Sequence, residues 1–125
     1  MTLPYVVDHT KRVVFVTVSG RVSGTDIADS IRAIYEDSNW QPGFGIVWDG
    51  SGVTELLFER GDVAGLIEVQ RSFRDRAGSG RDVIITHRPL DEAVAKTYIL
   101  LAKDIRPTTL AKSRWEALTA LGGRV

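Results

Sequence analysis

Asp49, Ser51 and His87 are the residues whose types could combine into catalysis. A hydroxyl, an imidazole to take its proton and a carboxylate to orient the imidazole make a nucleophilic relay. Ser51 stands in Asp49-Gly50-Ser51-Gly52-Val53. A nucleophile elbow places its glycines two residues either side of the serine, so that a sharp turn exposes the hydroxyl. Here the glycines adjoin the serine, and the chain has only 2 histidines. Glycine and serine are ordinary turn residues, and aspartate readily accepts backbone N–H groups in its own turn. The frame therefore favours a connecting turn over a nucleophile. No catalytic residue is assigned, and an enzyme acting through these three residues ranks behind two non-enzymatic readings.

Other chemistries fare no better. A hard metal at Asp49 would need Glu59 and Asp62 to converge on it, and the absence of cysteine removes thiolate sites and disulfides. No metal and no cofactor are expected. Gly43-Phe44-Gly45 precedes a strand, whereas a dinucleotide fingerprint follows one. Gly20 to Gly24 does follow a strand and open a helix, and Arg21 adds charge there for an anion. A simpler role for Ser23 is to cap that helix. Arg71, Arg74, Arg76, Arg81 and Arg88 form a basic run against Asp75 and Asp82. Such a run is most often a solvated face, and without an interleaved aromatic platform it does not favour nucleic acid.

The composition agrees. Lys+Arg and Asp+Glu are both 16, so no net field draws the chain to nucleic acid or anionic lipid. No stretch approaches the roughly 18 apolar residues of a membrane span. The start, "MTLPYVVDH", lacks the basic and apolar regions of a signal peptide. A cytoplasmic protein without membrane or nucleic-acid partners is expected. At 125 residues the chain suits one domain over 1–125 with one core.

The elements that must position these residues follow from periodicity. "YVVDH" (5–9) and "RVVFVTVSG" (12–20) form an antiparallel hairpin. Val14, Val16 and Val18 share one face of the second strand; Val13, Phe15 and Thr17 share the other, so that strand is expected to be covered on both sides. After a loop from Gly20 to Gly24, Ser23 and Asp26 make an imperfect capping box for a helix carrying Ile27, Ile31, Ile34 and Tyr35. "NWQPGFG" turns into a short buried strand at 44–49. A loop is expected over 50–61. Asp62 then caps a helix with the stripe Leu66, Val69, Phe73 and Ala77, stopped by Gly78-Ser79-Gly80. "DVIITH" (82–87) is a strand. Pro89 opens a helix with Leu90, Val94, Tyr98, Leu101 and Ile105 inward, closed by Pro107. "TTLAK" (108–112) is the last strand. Ser113 and Glu116 box a final helix that carries Trp115, Leu118 and Leu121 on one face, ended by Gly122-Gly123. The order ββαβαβαβα implies an α/β domain with a mostly parallel five-stranded sheet and an N-terminal antiparallel hairpin.

Three segments resemble the STAS domains of bacterial anti-sigma factor antagonists. "RVVFVTVSGRVSGTDIAD" is similar to that family's second strand, glycine turn and first helix. "IVWDGSGVTEL" is similar to its third strand and the hydrophobic-Asp-x-Ser-Gly-Val-Thr segment, and "SRWEALTAL" to its terminal helix. The resemblance implies a STAS-like βα superhelix and protein partners of the signalling kind. It also implies that Ser51 is structural, because the family's phosphoacceptor lies further on, at the next helix start. Phe58 to Asp62, "FERGD", fills that place, and no serine or threonine occurs between Glu55 and Arg71. Asp62 would then be a fixed negative group at a helix N-terminus.

The leading expectation is a non-enzymatic regulatory or protein-interaction module that forms a homodimer and lacks the usual phosphoserine switch. The alternative is a carrier or sensor of an apolar or anionic small molecule at the carboxyl ends of the strands. Trp40, Phe44, Leu57 and Phe58 place apolar area in turns and loops, and Ile99 and Leu100 lie off the inward stripe of their helix. The residues expected to meet a ligand or partner are Asp49, Ser51, Leu57, Phe58, Arg60, Asp62, Ile99 and Leu100. A cavity under residues 53–61 would favour the carrier; a flat two-fold patch would favour the interaction module.

Overall fold

Val14, Val16, Val18 and Val22 alternate along one strand and are all buried. In the computed structural model, which describes residues 1–122, this strand is β2 (Val13–Ser23). β1 (Tyr5–Asp8) pairs antiparallel with it, Tyr5 opposite Val16. Then follow α1 (Gly24–Glu36), β3 (Gly45–Leu57), α2 (Asp62–Ser72), α3 (Arg74–Ala77), β4 (Asp82–Ile85), α4 (Pro89–Ala102), β5 (Thr108–Ala111) and α5 (Arg114–Ala120). The Gly123 half of the expected final stop lies outside the described residues.

The strands lie in chain order, β1-β2-β3-β4-β5, and every pair after the first is parallel. Parallel crossovers are almost always right-handed. When each one steps in the same direction, all the crossover helices land on the same face. The core divides accordingly. Val14, Val16, Ile46 and Trp48 pack with Ile31, Ile34 and Tyr35 of α1 and Leu66 of α2. Val13, Val47, Val83 and Ile85 pack with Ala117 and Leu118 of α5 on the opposite face. That second face is thinly covered. Phe15 is half-buried and Thr17 exposed, so β2 is shielded on both sides only at its start and not along its length.

Several boundaries differ from the sequence reading. The expected loop over 50–61 is largely strand, since β3 runs through to Leu57 and leaves only 58–61 as a connection. β2 likewise continues through Gly20 to Ser23. The two extensions pair with each other across two irregularities, between Thr17 and Ser19 and between Gly20 and Arg21, each of which gives β3 one extra residue. Glycines make this possible. A Cβ on Gly50 would sit 2.8 Å from the Ile85 carbonyl oxygen, and one on Gly52 would sit 3.0 Å from Ser19 Cβ.

The helices shift too. Ser23 and Asp26 form both halves of the capping box of α1, whereas Glu116 returns only its backbone N–H to Ser113. The stripe from Leu66 to Ala77 belongs to two helices, because the chain breaks at Phe73. α4 is turned from its expected orientation. Leu90 and Leu101 are exposed, and Asp91, Ala95 and Ala102 face inward. Trp115 is exposed rather than packed beside Leu118. Trp40 and Phe44, read as loop surplus, are fully buried in the main core.

One charged pair is buried in the floor of the sheet. Arg106 Nε donates to Asp82 Oδ1 at 2.9 Å and Arg106 Nη2 to the Phe44 carbonyl at 2.8 Å. Trp48 Nε1 donates to Asp82 Oδ2 at 3.1 Å. Burial disfavours the charge on Arg106, but Asp82, together with Tyr35 and Tyr98, outweighs it and raises the guanidinium's pKa above its ordinary value.

Candidate functional site

Asp49 and Ser51 sit together on the first bulge of β3. The Ser51 hydroxyl donates to Asp49 Oδ1 at 2.7 Å and its N–H donates to the same oxygen at 3.1 Å. Arg114 Nε, from α5, donates to Asp49 Oδ2 at 2.9 Å. Burial works against ionisation of Asp49, but the Ser51 hydrogen bonds and the Arg114 pair outweigh it and hold the carboxyl below its ordinary value. A carboxylate stabilised in this way is a poor base for a serine proton. His87 turns elsewhere, its Nε2 lying 3.1 Å from the Lys112 carbonyl oxygen. The three residues thus form a strand-locking contact and a separate loop contact.

Asp62 is the first residue of α2, and its carboxylate accepts from the Glu59 N–H at 2.6 Å. The N-cap is Gly61, whose φ of 91° lies in the left-handed region, so Asp62 does not cap the helix as expected. Arg60 and Leu57 are exposed, Phe58 half-buried, Ile99 half-buried and Leu100 exposed. Part of the basic run is taken up by structural contacts. Arg76 donates to the carbonyls of Tyr35, Asp37 and Trp40 at the end of α1, and Arg71 pairs with Glu68. Arg21 pairs with Glu55, which removes it from any anion loop.

The feature with chemical potential is a cavity of about 110 Å³ between the sheet and α1, α2 and α4. Ile31, Trp48, Val53, Phe58, Leu66 and Tyr98 wall it, and Thr86 and Asp91 also face it. It lies beneath β3 and the 58–61 connection, at the carboxyl ends of β3 and β4. Of the expected residues it takes Phe58 alone. Thr86 follows β4 directly and Asp91 lies in the first turn of α4. Thr86 is 4% exposed and Asp91 5%. Neither the Thr86 hydroxyl nor either Asp91 oxygen has a hydrogen-bond partner among the described residues. The nearest countercharge is Arg88, whose Nε lies 3.5 Å from Asp91 Oδ2. The Arg88 guanidinium also donates to the Thr54 carbonyl and so ties α4 to the extension of β3. A sequence signal for Asp91 existed. It stands at i with Val94, Ala95 and Tyr98 at i+3, i+4 and i+7, a carboxylate in an otherwise apolar stripe.

A wider hollow of about 280 Å³ lies on the opposite face, around Phe15, Thr17 and Arg114. Its polar groups face solvent, so it offers no comparable unmet demand. Among the described residues no group of His, Asp or Glu is arranged to hold a metal, and no helix is long and apolar enough to cross a membrane.

A chain-ordered parallel sheet with one antiparallel N-terminal strand, crossover helices on one face and a C-terminal helix on the other is a SpoIIAA-like, or STAS-like, α/β fold. Two solved structures carry that assignment. The anti-sigma factor antagonist SpoIIAA in its unphosphorylated form superposes with a TM-score of 0.54 at 15% identity, over 97% of this chain and 100% of its own. A protein of the DUF3478 family from Shewanella loihica, with a SpoIIAA-like fold, gives a TM-score of 0.59 at 12% identity, over 95% of this chain and 91% of its own. At such identities the likeness establishes the fold. No family model and no curated protein matches the chain.

Proposed function

We propose that this domain is a non-catalytic regulatory module whose state is set by a small apolar molecule held between the sheet and α4. The observation that supports it is the 110 Å³ cavity, walled by aliphatic and aromatic side chains with Thr86 and Asp91 beside them, the usual make-up of a small-molecule site. The expected phosphoacceptor segment holds no hydroxyl side chain between Glu55 and Arg71, so control by a ligand replaces control by phosphorylation there. Screening the intact chain with compact aromatics such as toluene, by thermal shift and by NMR, tests the reading. Binding should raise Tm in proportion to occupancy. Ala95→Leu, which fills the cavity from α4, should abolish the effect while the chain stays folded. If no compact apolar compound binds the folded protein, the reading fails.

A second reading has its own support. Leu90, Leu100 and Leu101 of α4 are 61%, 71% and 53% exposed, and Leu57 is 38% exposed. Exposed aliphatics in such number favour self-association through α4.

A further inference from the structure

Resting on the cavity reading above, we infer that the Asp91–Thr86 end of the cavity recognises a protonated primary amine carried on a compact apolar body. Buried polar groups in folded proteins are almost always hydrogen-bonded, and a buried carboxylate is costly without partners. Here Asp91 and Thr86 both line the same apolar space, both more than nine-tenths buried, and neither the carboxylate nor the hydroxyl has a hydrogen bond among the described residues. Arg88 answers the charge of Asp91 only in part. At 3.5 Å it makes an ion pair without a hydrogen bond, and its side chain is 36% exposed.

The missing partner must therefore supply donors from inside the cavity. An ammonium group has three donors and no acceptor. It can serve an Asp91 oxygen and the Thr86 hydroxyl together and complete the pairing of the buried charge. A phosphate or carboxylate head would add a second negative charge beside Asp91, which disfavours an anionic head at this end of the cavity. The walls set the rest of the molecule. An engineered apolar cavity of about 150 Å³ accepts benzene, so 110 Å³ suits a body of one small ring or a short branched chain. Water could occupy the polar end alone, but it would leave the apolar remainder unfilled and Asp91 with the loose Arg88 pair as its countercharge.

The test uses three ligands of nearly equal size on the full chain: toluene, benzyl alcohol and benzylamine. Affinities are measured by NMR titration, with chemical-shift changes mapped to Ile31, Trp48 and Tyr98. Benzylamine should bind about tenfold to a hundredfold more tightly than toluene, as expected for a charge-assisted hydrogen bond. Asp91→Asn should remove that advantage and leave toluene binding unchanged. Thr86→Val should weaken benzylamine and benzyl alcohol several-fold, and it decides the matter if Asp91→Asn does not fold. Equal binding of toluene and benzylamine to the unaltered chain overturns the amine assignment and leaves the cavity reading standing. Loss of toluene binding as well would bring down both.

Discussion

Asp91 and Arg106 show how differently one buried charge can be treated from another. Arg106 is fully buried, yet it has a carboxylate, a carbonyl and a tryptophan face around it. Asp91 is almost as deep and has one loose countercharge. Arg106 leaves only its Nη1 without a partner among the described residues while its other nitrogens are held, whereas neither Asp91 oxygen has a hydrogen bond. Removing one partner of a buried pair leaves the other uncompensated and typically costs about 3–5 kcal/mol. Arg106→Leu should therefore lower unfolding free energy by about that amount in urea denaturation, because Asp82 would keep only Trp48. A loss below about 1 kcal/mol would show that the pair barely outweighs its own desolvation. The burial of Arg106 was not legible from the sequence, where it stands before Pro107 like any loop arginine; that of Asp91 left a signal, a carboxylate in the stripe of Val94, Ala95 and Tyr98. The contact of Ser51 with Asp49 was legible, because short-range Asx chemistry depends on neighbours alone.

Local chemistry fixed the elements more reliably than their ends. Alternation and helical spacing marked all five strands and four of the helices, since burying one face imposes a period that the residues must follow. The extension of β3 was hidden because Gly50-Ser51-Gly52 imitates a turn. What those glycines permit is close approach of neighbouring strands through two bulges, a property of the partner strand that no local pattern carries. The face of α4 was misjudged for a related reason. Leu90, Leu101 and Ile105 draw the expected stripe toward themselves, while the helix buries Ala95 and Ala102. Caps give the element scale its test. Ser23 accepts from the Asp26 N–H at 3.1 Å, and Asp26 returns the contact to the Ser23 N–H at 3.0 Å. Ser23→Ala should cost about 1 kcal/mol, measured by thermal or urea unfolding. Asp62→Ala should cost less, because Asp62 braces an exposed turn instead of filling a cap. An equal or larger loss at Asp62 would mean that its charge, lying beside the start of α1 at Gly24 as well as at the head of α2, matters more than the cap.

The whole molecule has a heavily covered face and a lightly covered one, and the exposed leucines of α4 lie on the helices of the first. Leu90 and Leu101, eleven residues apart, come round to the same side of α4. If that side is a two-fold contact, sedimentation of the native chain should show a dimer, and Leu101→Glu should shift it toward monomer without changing its circular dichroism. A native chain that sediments as a monomer at high concentration removes this second reading and leaves the cavity as the functional centre.

The chain-ordered sheet has a kinetic side. Each strand pairs with the one made just before it, so the parallel pairings join residues only 26 to 36 apart in the chain and none must wait for the far end. Loop-closure entropy is smaller for such neighbours than for distant strands. The topology lets the sheet grow in the direction of synthesis, one βα unit at a time. Only the face under α5 must stay open until the last helix emerges. During that interval the apolar residues Val13, Val47, Val83 and Ile85 are the ones at risk of meeting another nascent chain.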